Sequence, residues 1–240
     1  MRPYAQYCPI VRAVELLGDR WTLLIVRDML IGATRFNELA RGLPGLSRAL
    51  LSRRLRQLVN AGLVVRTSDG YALTKAGSDL RPLVFGLADW GARYAFGDPR
   101  PEELDPELLM WWMHGRIDTS SLSRRAVIQV EIADRLRKYW LVLEPGDASV
   151  CYTDPGFDID AVLAADLATL YRMWEGEIEL LDAVRAGDID LTGARWVVRG
   201  LPEWLQLSPA APYVRAARQP AATLDPANAL EPATRQPAVP

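Results

Sequence analysis

Residues 34–58 read Thr34-Arg35-Phe36-Asn37-Glu38-Leu39-Ala40-Arg41-Gly42-Leu43-Pro44-Gly45-Leu46-Ser47-Arg48-Ala49-Leu50-Leu51-Ser52-Arg53-Arg54-Leu55-Arg56-Gln57-Leu58, and their pattern decides the fold of the first half of the chain. The spacing predicts a short helix over 35–41, with Phe36, Leu39 and Ala40 on one side. Gly42-Leu43-Pro44-Gly45 reads as a turn, because two glycines tolerate unusual φ and proline stops a helix. Ser47 then caps a second helix that runs to about Asn60 and closes on Gly62. Leu51, Leu55 and Leu58 recur at i, i+4 and i+7 and form its inward stripe.

Upstream of this stretch, Asp19 is expected to cap a helix from Arg20 to about Leu30, with Trp21, Leu24, Ile25 and Met29 at helical spacing. Downstream, Leu63–Thr67 and Tyr71–Thr74 read as two strands joined by Ser68-Asp69-Gly70, and Asp-Gly between β-formers signals a hairpin. One long helix is expected from Lys75 to about Phe96, its apolar stripe running from Leu80 to Tyr94. Helix, glycine–proline turn, basic helix and hairpin follow the order of a winged helix-turn-helix.

The expected fold class is α+β. An N-terminal winged helix-turn-helix domain, 1–97, leads through a linker at 98–106 into a mixed α/β domain at 107–208. This second domain should hold a small sheet with covering helices. The linker follows from the break Gly97-Asp98-Pro99-Arg100-Pro101. Val127–Ile132 alternates, with Ile128, Val130 and Ile132 on one face, and Tyr139–Leu143 and Ala148–Thr153 read as further strands around the turn 144–147. Asp160 is expected to cap a helix ending at Gly176, and a second helix spans Glu177–Ala186. Ile189–Leu191 and Arg195–Val198 read as a closing strand region. From Pro209 to Pro240 the Pro/Ala-rich sequence predicts a disordered tail, since it offers little apolar area to offset chain ordering.

Charge is unevenly divided. Residues 1–98 hold 14 Lys and Arg against 8 Asp and Glu, whereas the remainder holds 14 against 22. A basic module joined to an acidic one suggests that the first half meets a polyanion. No apolar run approaches the roughly 20 residues that span a bilayer, and the N-terminus lacks a signal-peptide pattern, so a cytoplasmic protein with no membrane partner is expected. Cys8 and Cys151 make no disulfide framework or zinc spacing, and His114 is the only histidine. With no metal, nucleotide or nucleophile motif, no catalytic residue and no cofactor are assigned, and an enzyme is not expected.

With the leucines inward, Ala49, Ser52, Arg53 and Arg56 project outward, Ser47 and Arg48 stand at the helix start, and Arg54 lies on one flank. Arginine suits guanine edges and phosphates, a helix fits the major groove, and a small Ala49 allows close approach. Arg66 leads into the wing. The DNA-binding set is therefore Ser47, Arg48, Ala49, Ser52, Arg53, Arg56 and Arg66, and the partner is double-stranded DNA.

At this point a resemblance is specific. Cys8-Pro9-Ile10, Leu16-Leu17-Gly18-Asp19-Arg20-Trp21-Thr22-Leu23-Leu24-Ile25, Arg35-Phe36-Asn37-Glu38-Leu39, Leu43-Pro44-Gly45-Leu46-Ser47, Leu51-Ser52-Arg53-Arg54-Leu55, Gly62-Leu63-Val64, Tyr71-Ala72-Leu73-Thr74 and Leu87-Ala88-Asp89-Trp90 resemble, in order, the HxlR-type transcriptional regulators. The resemblance covers residues 7 to about 95 and implies a dimeric winged-helix DNA binder. Its departure is a tight wing at Thr67-Ser68-Asp69-Gly70, where family members often carry a longer, proline-containing one.

The second half, through Trp174-Glu175-Gly176-Glu177 and Ala186-Gly187-Asp188-Ile189-Asp190-Leu191-Thr192-Gly193, resembles the sterol-carrier-protein-2 type of domain, which encloses an apolar cavity. Its aromatics Trp111, Trp112, Trp140, Tyr171 and Trp174 are either core or the lining of a pocket for a hydrophobic small molecule. Cys8 is either a small apolar filler at a dimer interface or, as the family resemblance implies for some members, an oxidant or electrophile sensor. The expected function is a sequence-specific transcriptional regulator that acts as a homodimer on a palindromic operator and responds to a hydrophobic ligand. Two alternatives stand beside it: a regulator sensing through Cys8 with a structural C-terminal domain, and an intracellular lipid-binding protein.

Overall fold

A glycine, a proline and a run of leucines shape the first unit of the computed structural model, which describes residues 4–218. Four helices come first: α1 (Pro9–Leu17), α2 (Thr22–Leu30), α3 (Phe36–Gly42) and α4 (Arg48–Asn60). The hairpin β1 (Val64–Arg66) and β2 (Tyr71–Leu73) follows, antiparallel with Val65 opposite Ala72. Next are α5 (Lys75–Ser78) and α6 (Arg81–Tyr94). Ser47 caps α4 as expected, its hydroxyl accepting from the Leu50 amide at 3.3 Å. Ile25, Val26, Leu39, Leu51 and Leu55 are buried where α2, α3 and α4 meet.

Two expectations for this unit are corrected. Asp19 does not cap α2, whose first turn starts at Thr22 after Trp21, and its carboxylate turns instead to Arg54. The expected long helix over 75–96 is two helices, because the chain breaks at Asp79-Leu80 and restarts with Pro82 in the first turn of α6.

After a single 3₁₀ turn at Pro101–Glu103, Asp105 caps α7 (Pro106–His114). The strands β3 (Ala126–Ile132), β4 (Arg137–Glu144), β5 (Asp147–Cys151) and β6 (Ala161–Ala165) follow. Then come α8 (Leu167–Trp174), α9 (Leu180–Ala186), β7 (Asp190–Gly193), α10 (Arg195–Trp204) and α11 (Ala211–Arg218). The sheet order is β5-β4-β3-β6-β7. Only the β3–β6 pair is parallel, with Val130 opposite Leu163. Ile128, Val130, Leu141 and Leu163 on the sheet are buried against Leu167, Leu170 and Val197 from the covering helices.

Three expectations are corrected here. Asp160 caps no helix; it precedes β6, and its carboxylate accepts from the Val127 amide at 2.9 Å, holding the start of β3. Asp166 caps α8 through the Thr169 amide. Arg195–Val198 begins a helix, not a strand. The tail does not begin at Pro209: residues 211–218 form α11, with Ala211 and Val214 buried. Phe85 of α6 stacks on Tyr213 of α11 with ring centroids 6.0 Å apart. Residues 219–240 of the expected tail lie outside the described residues. The two units touch through α7 on α3 and through α11 on α6, so the segment read as a linker joins domains that pack on one another. Among the described residues no helix is long and apolar enough to cross a membrane.

Candidate nucleic-acid interface

The leucine stripe that buries one side of α4 fixes what its other side presents. Ser47, Arg48, Ala49, Arg53 and Arg56 are exposed and Ser52 is half-buried. Arg48 donates to the Asn37 side chain at 2.6 Å, and its guanidinium sits 5.1 Å from the Phe36 ring, so α3 and the start of α4 are braced together. Arg56 donates to the Ser52 hydroxyl at 2.8 Å, one turn back. Arg53 makes no side-chain hydrogen bond or ion pair among the described residues, and its guanidinium is open to a partner. Ala49, Ser52, Arg53 and Arg56 lie on one arc of the helix, as the spacing predicts, with Ser47 and Arg48 at its start.

Arg54 points differently. Both terminal nitrogens of its guanidinium engage the Asp19 carboxylate, the Nη2–Oδ1 contact being 2.6 Å. Its place is to clamp α4 onto the α1–α2 turn. On the helix Arg54 flanks the leucine stripe, but nothing local in the sequence names Asp19 as its partner.

The wing is anchored close to α3. The Tyr71 amide donates to the Thr34 carbonyl at 2.8 Å, and Gly70, at φ 153°, lies so close that a Cβ there would meet that carbonyl at 2.3 Å. Only glycine fits this approach. Arg66 is exposed on β1, its guanidinium 5.8 Å from the Tyr71 ring.

A second feature lies between the two units. A cavity of about 580 Å³ is walled by α2 and α3 on one side and by α7, Trp174 and Ser208–Ala210 on the other. Of the aromatics expected to form a pocket, Trp111, Trp112 and Trp174 line it. Trp140 and Tyr171 do not. Trp140 is a core side chain of β4, and the Tyr171 hydroxyl donates to the Asp105 carbonyl at 2.9 Å, fixing the entry to α7. The cavity also gathers residues to which the sequence assigned no role. Arg27 donates to Asp28 at 2.8 Å, and burial pushes the Asp28 carboxyl up to about 6 against the pull of that arginine. Burial likewise raises Glu175, opposed by the Ser208 hydroxyl and Arg27. His114 is held below its ordinary pKa by burial, and its Nδ1 has no hydrogen-bond partner among the described residues. The available signal was Asp28 itself, a carboxylate inside the apolar stretch of α2. A broader groove of about 1150 Å³ continues past Phe85 and Arg116 between α6, α9 and α11.

Cys8 is the half-buried residue before α1, in extended backbone, and makes no side-chain cap. Near it the chain exposes Tyr7, Ile10, Val14 and Leu16, and α6 exposes Leu83, Leu87, Trp90 and Tyr94.

Residues 16–98 match the family model described as HxlR-like helix-turn-helix. Among curated proteins, the HTH-type transcriptional regulator Rv3095 of Mycobacterium tuberculosis is 49% identical over 98 residues, which cover 38% of this chain and 60% of that protein. The chain thus spans about 60% of the length of the mycobacterial relatives it matches. The HTH-type transcriptional regulator YvaP of Bacillus subtilis is 35% identical over 98 residues, covering 38% of this chain and 91% of its own length. Among solved structures, quinone-bound YodB from B. subtilis is 31% identical and covers 36% of this chain and 99% of that one, at TM-score 0.34.

Proposed function

The chain belongs to the HxlR-like helix-turn-helix family, and from that membership we propose that it binds double-stranded DNA as a homodimer and regulates transcription from a palindromic operator. The observation that carries this reading is the arc of α4, where Arg53 is unengaged and Arg48, Ser52 and Arg56 are pre-positioned beside it by their own hydrogen bonds. The α4 arc enters the major groove, with arginines on guanine edges and phosphates, and Arg66 follows the adjoining backbone. Selection of bound fragments from random duplex DNA, followed by titration at several salt concentrations, tests it. Affinity should fall with the logarithm of salt at a slope of roughly 0.9 per phosphate neutralised. Salt-independent or absent binding removes the reading.

Dimerisation is supported by the apolar residues that α1 and α6 leave exposed, Ile10, Leu87, Trp90 and Tyr94 among them. A two-fold pair presents two α4 helices to half-sites one turn apart, about 34 Å. The second unit, a mixed five-stranded sheet under helices, supports a sterol-carrier-like domain that takes a hydrophobic small molecule and adjusts DNA affinity. In this reading the chain catalyses no reaction.

Cys8 supports a second reading, because its half-buried thiol adjoins the exposed apolar face of α1. Modification there would alter the dimer. Alkylation with N-ethylmaleimide that leaves both oligomeric state and DNA affinity unchanged disposes of it.

A further inference from the structure

The cavity between the two units combines three features. The first is size: about 580 Å³ falls in the middle of the range that holds drug-sized molecules. The second is an aromatic wall. Trp111, Trp112 and Trp174 line it, and the Trp111 indole already carries a cation, with the Arg41 guanidinium 4.7 Å from its ring centroid. The third is an imbalance of charge. Two arginines line the cavity: Arg27 is paired with Asp28, and Arg116 donates to the neutral Leu207 carbonyl at 3.2 Å and keeps its charge. Three carboxylates line it too. Asp28 is paired with Arg27, and Glu38 accepts from the Thr34 and Arg35 amides. Glu175, adjoining Trp174, makes no ion pair among the described residues, the nearby Arg27 being paired with Asp28.

We propose that this interdomain cavity binds a lipophilic organic cation, an amine or onium compound of drug-like size, with its charge on Glu175 and its apolar body against Trp112 and Trp174. A cation placed beside an indole face is attracted by the ring quadrupole, and the more so when water is excluded. A bound cation gives Glu175 a counter-charge that it does not share with Asp28, and opposes the burial that raises its carboxyl. His114 stays neutral in the same wall and contributes no competing charge. An organic anion of the same shape is repelled by Glu175 instead.

The position of the cavity gives the ligand a route to DNA. Residues 31–34, between α2 and α3, form part of its wall, and the Thr34 carbonyl in that loop holds the wing through the Tyr71 amide. Gly42, at the other end of α3, also lines it. A ligand that sets the gap between α3 and α7 therefore bears on the seating of α3, α4 and the wing together. This effect rests on the DNA-binding reading above, whereas ligand binding itself does not, and the two are measured apart.

The test uses the full chain and an isosteric pair, tetraphenylphosphonium and tetraphenylborate, followed without DNA by tryptophan fluorescence and calorimetry. Tetraphenylphosphonium should bind about tenfold or more tighter than the borate. Glu175→Gln should weaken the phosphonium about tenfold while leaving the borate unchanged or improved, and Trp112→Ala should weaken the phosphonium through the other wall. Thermal melts confirm that each variant folds, and Glu107→Gln, outside the cavity, serves as the charge control. Equal or tighter binding of the borate, or an unchanged affinity in Glu175→Gln, overturns the proposal. Phosphonium binding by a chain that fails to bind DNA upholds the site and removes the regulatory reading instead.

Discussion

Arg54 of α4 grips Asp19, 35 residues earlier, through both terminal nitrogens of its guanidinium. The pair ties the basic helix to the turn that precedes α2, and so sets the angle at which α4 is presented. The Arg54 side chain is 12% exposed and the Asp19 side chain 33%, so removing Arg54 strips a largely buried two-pronged contact from a carboxylate that water already reaches on one side. Arg54→Ala should cost about 2 kcal/mol of unfolding free energy, in the range for hydrogen bonds to charged groups. Urea denaturation checks this, with Arg54→Lys recovering only part because an ammonium cannot make the two-pronged contact.

Arg53 and Arg56, one and two positions away, should behave oppositely. Both are exposed and neither holds another element in place, so Arg53→Ala and Arg56→Ala should melt within about 0.5 kcal/mol of wild type. Each should lose about 1–3 kcal/mol of discrimination between a selected operator and a variant site if it reads a base, or shift the salt slope by about one if it holds a phosphate. Electrophoretic mobility shifts on matched and mismatched duplexes separate these cases. Wild-type binding by both variants would displace α4 from the interface.

The contrast among these three arginines marks how far the sequence could be read. The helix-turn-helix was legible because its signals are local: the Leu51, Leu55 and Leu58 stripe, the glycine–proline turn, and the Ser47 cap all act within a few residues. Arg54 and Asp19 misled because their partnership spans two elements and no periodicity reports it. The same reason hid β6. Ala161–Ala165 is apolar on both faces, since its pairing with β3 is parallel and central in the sheet, and a short apolar run of this kind reads equally as helix or strand. Trp196-Val197-Val198 favours a strand by propensity, yet lies in α10, where Val197 is buried beneath the sheet's covering layer. The interdomain cavity was beyond reach altogether: its walls come from α2, α3, α6, α7 and residues 174–175 and 208–210, and it exists only once the two units pack.

Gly70 offers a test of how the wing is held. Its φ of 153° and its approach to the Thr34 carbonyl both exclude a side chain. Gly70→Ala should lift the hairpin off α3 and cost about 1–3 kcal/mol. Amide hydrogen exchange should show the Tyr71 amide, now bonded at 2.8 Å, losing protection before the α4 amides do. Retained protection at Tyr71 would mean that the wing does not depend on this contact.

Trp90 and Tyr94 lie one turn apart on α6 with ring centroids 5.6 Å apart, and both are more than half exposed. In a dimer built on α1 and α6 they are covered. The double substitution Trp90→Glu with Tyr94→Glu should leave the fold intact, since neither side chain supports the core, and should convert the dimer to monomer at micromolar concentration. Sedimentation velocity reads this directly. A monomeric wild type, or a doubly substituted chain that still dimerises, assigns the exposed stripe another purpose.

Asp28 ties stability to pH with an unusual sign. Burial raises its carboxyl from 3.8 to about 6, and Arg27, donating at 2.8 Å, recovers only part of the lost hydration. Between those two values the folded chain holds a proton that the unfolded chain has released. Unfolding free energy from this group is therefore fully present below 3.8 and is lost as pH rises through 6. A shift of about two units sets a ceiling near 3 kcal/mol. Glu175, also raised by burial, acts in the same direction, whereas Glu103, lowered by its hydrogen bonds from Arg100, acts in the other. The net curve mixes these, so the informative quantity is the difference between wild type and Asp28→Asn, measured by urea denaturation from pH 4 to pH 7. Relative to the variant, wild type should lose about 2–3 kcal/mol over that interval. Parallel curves would place the Asp28 carboxylate in contact with water, and a difference of the opposite sign would mean that Arg27 outweighs burial.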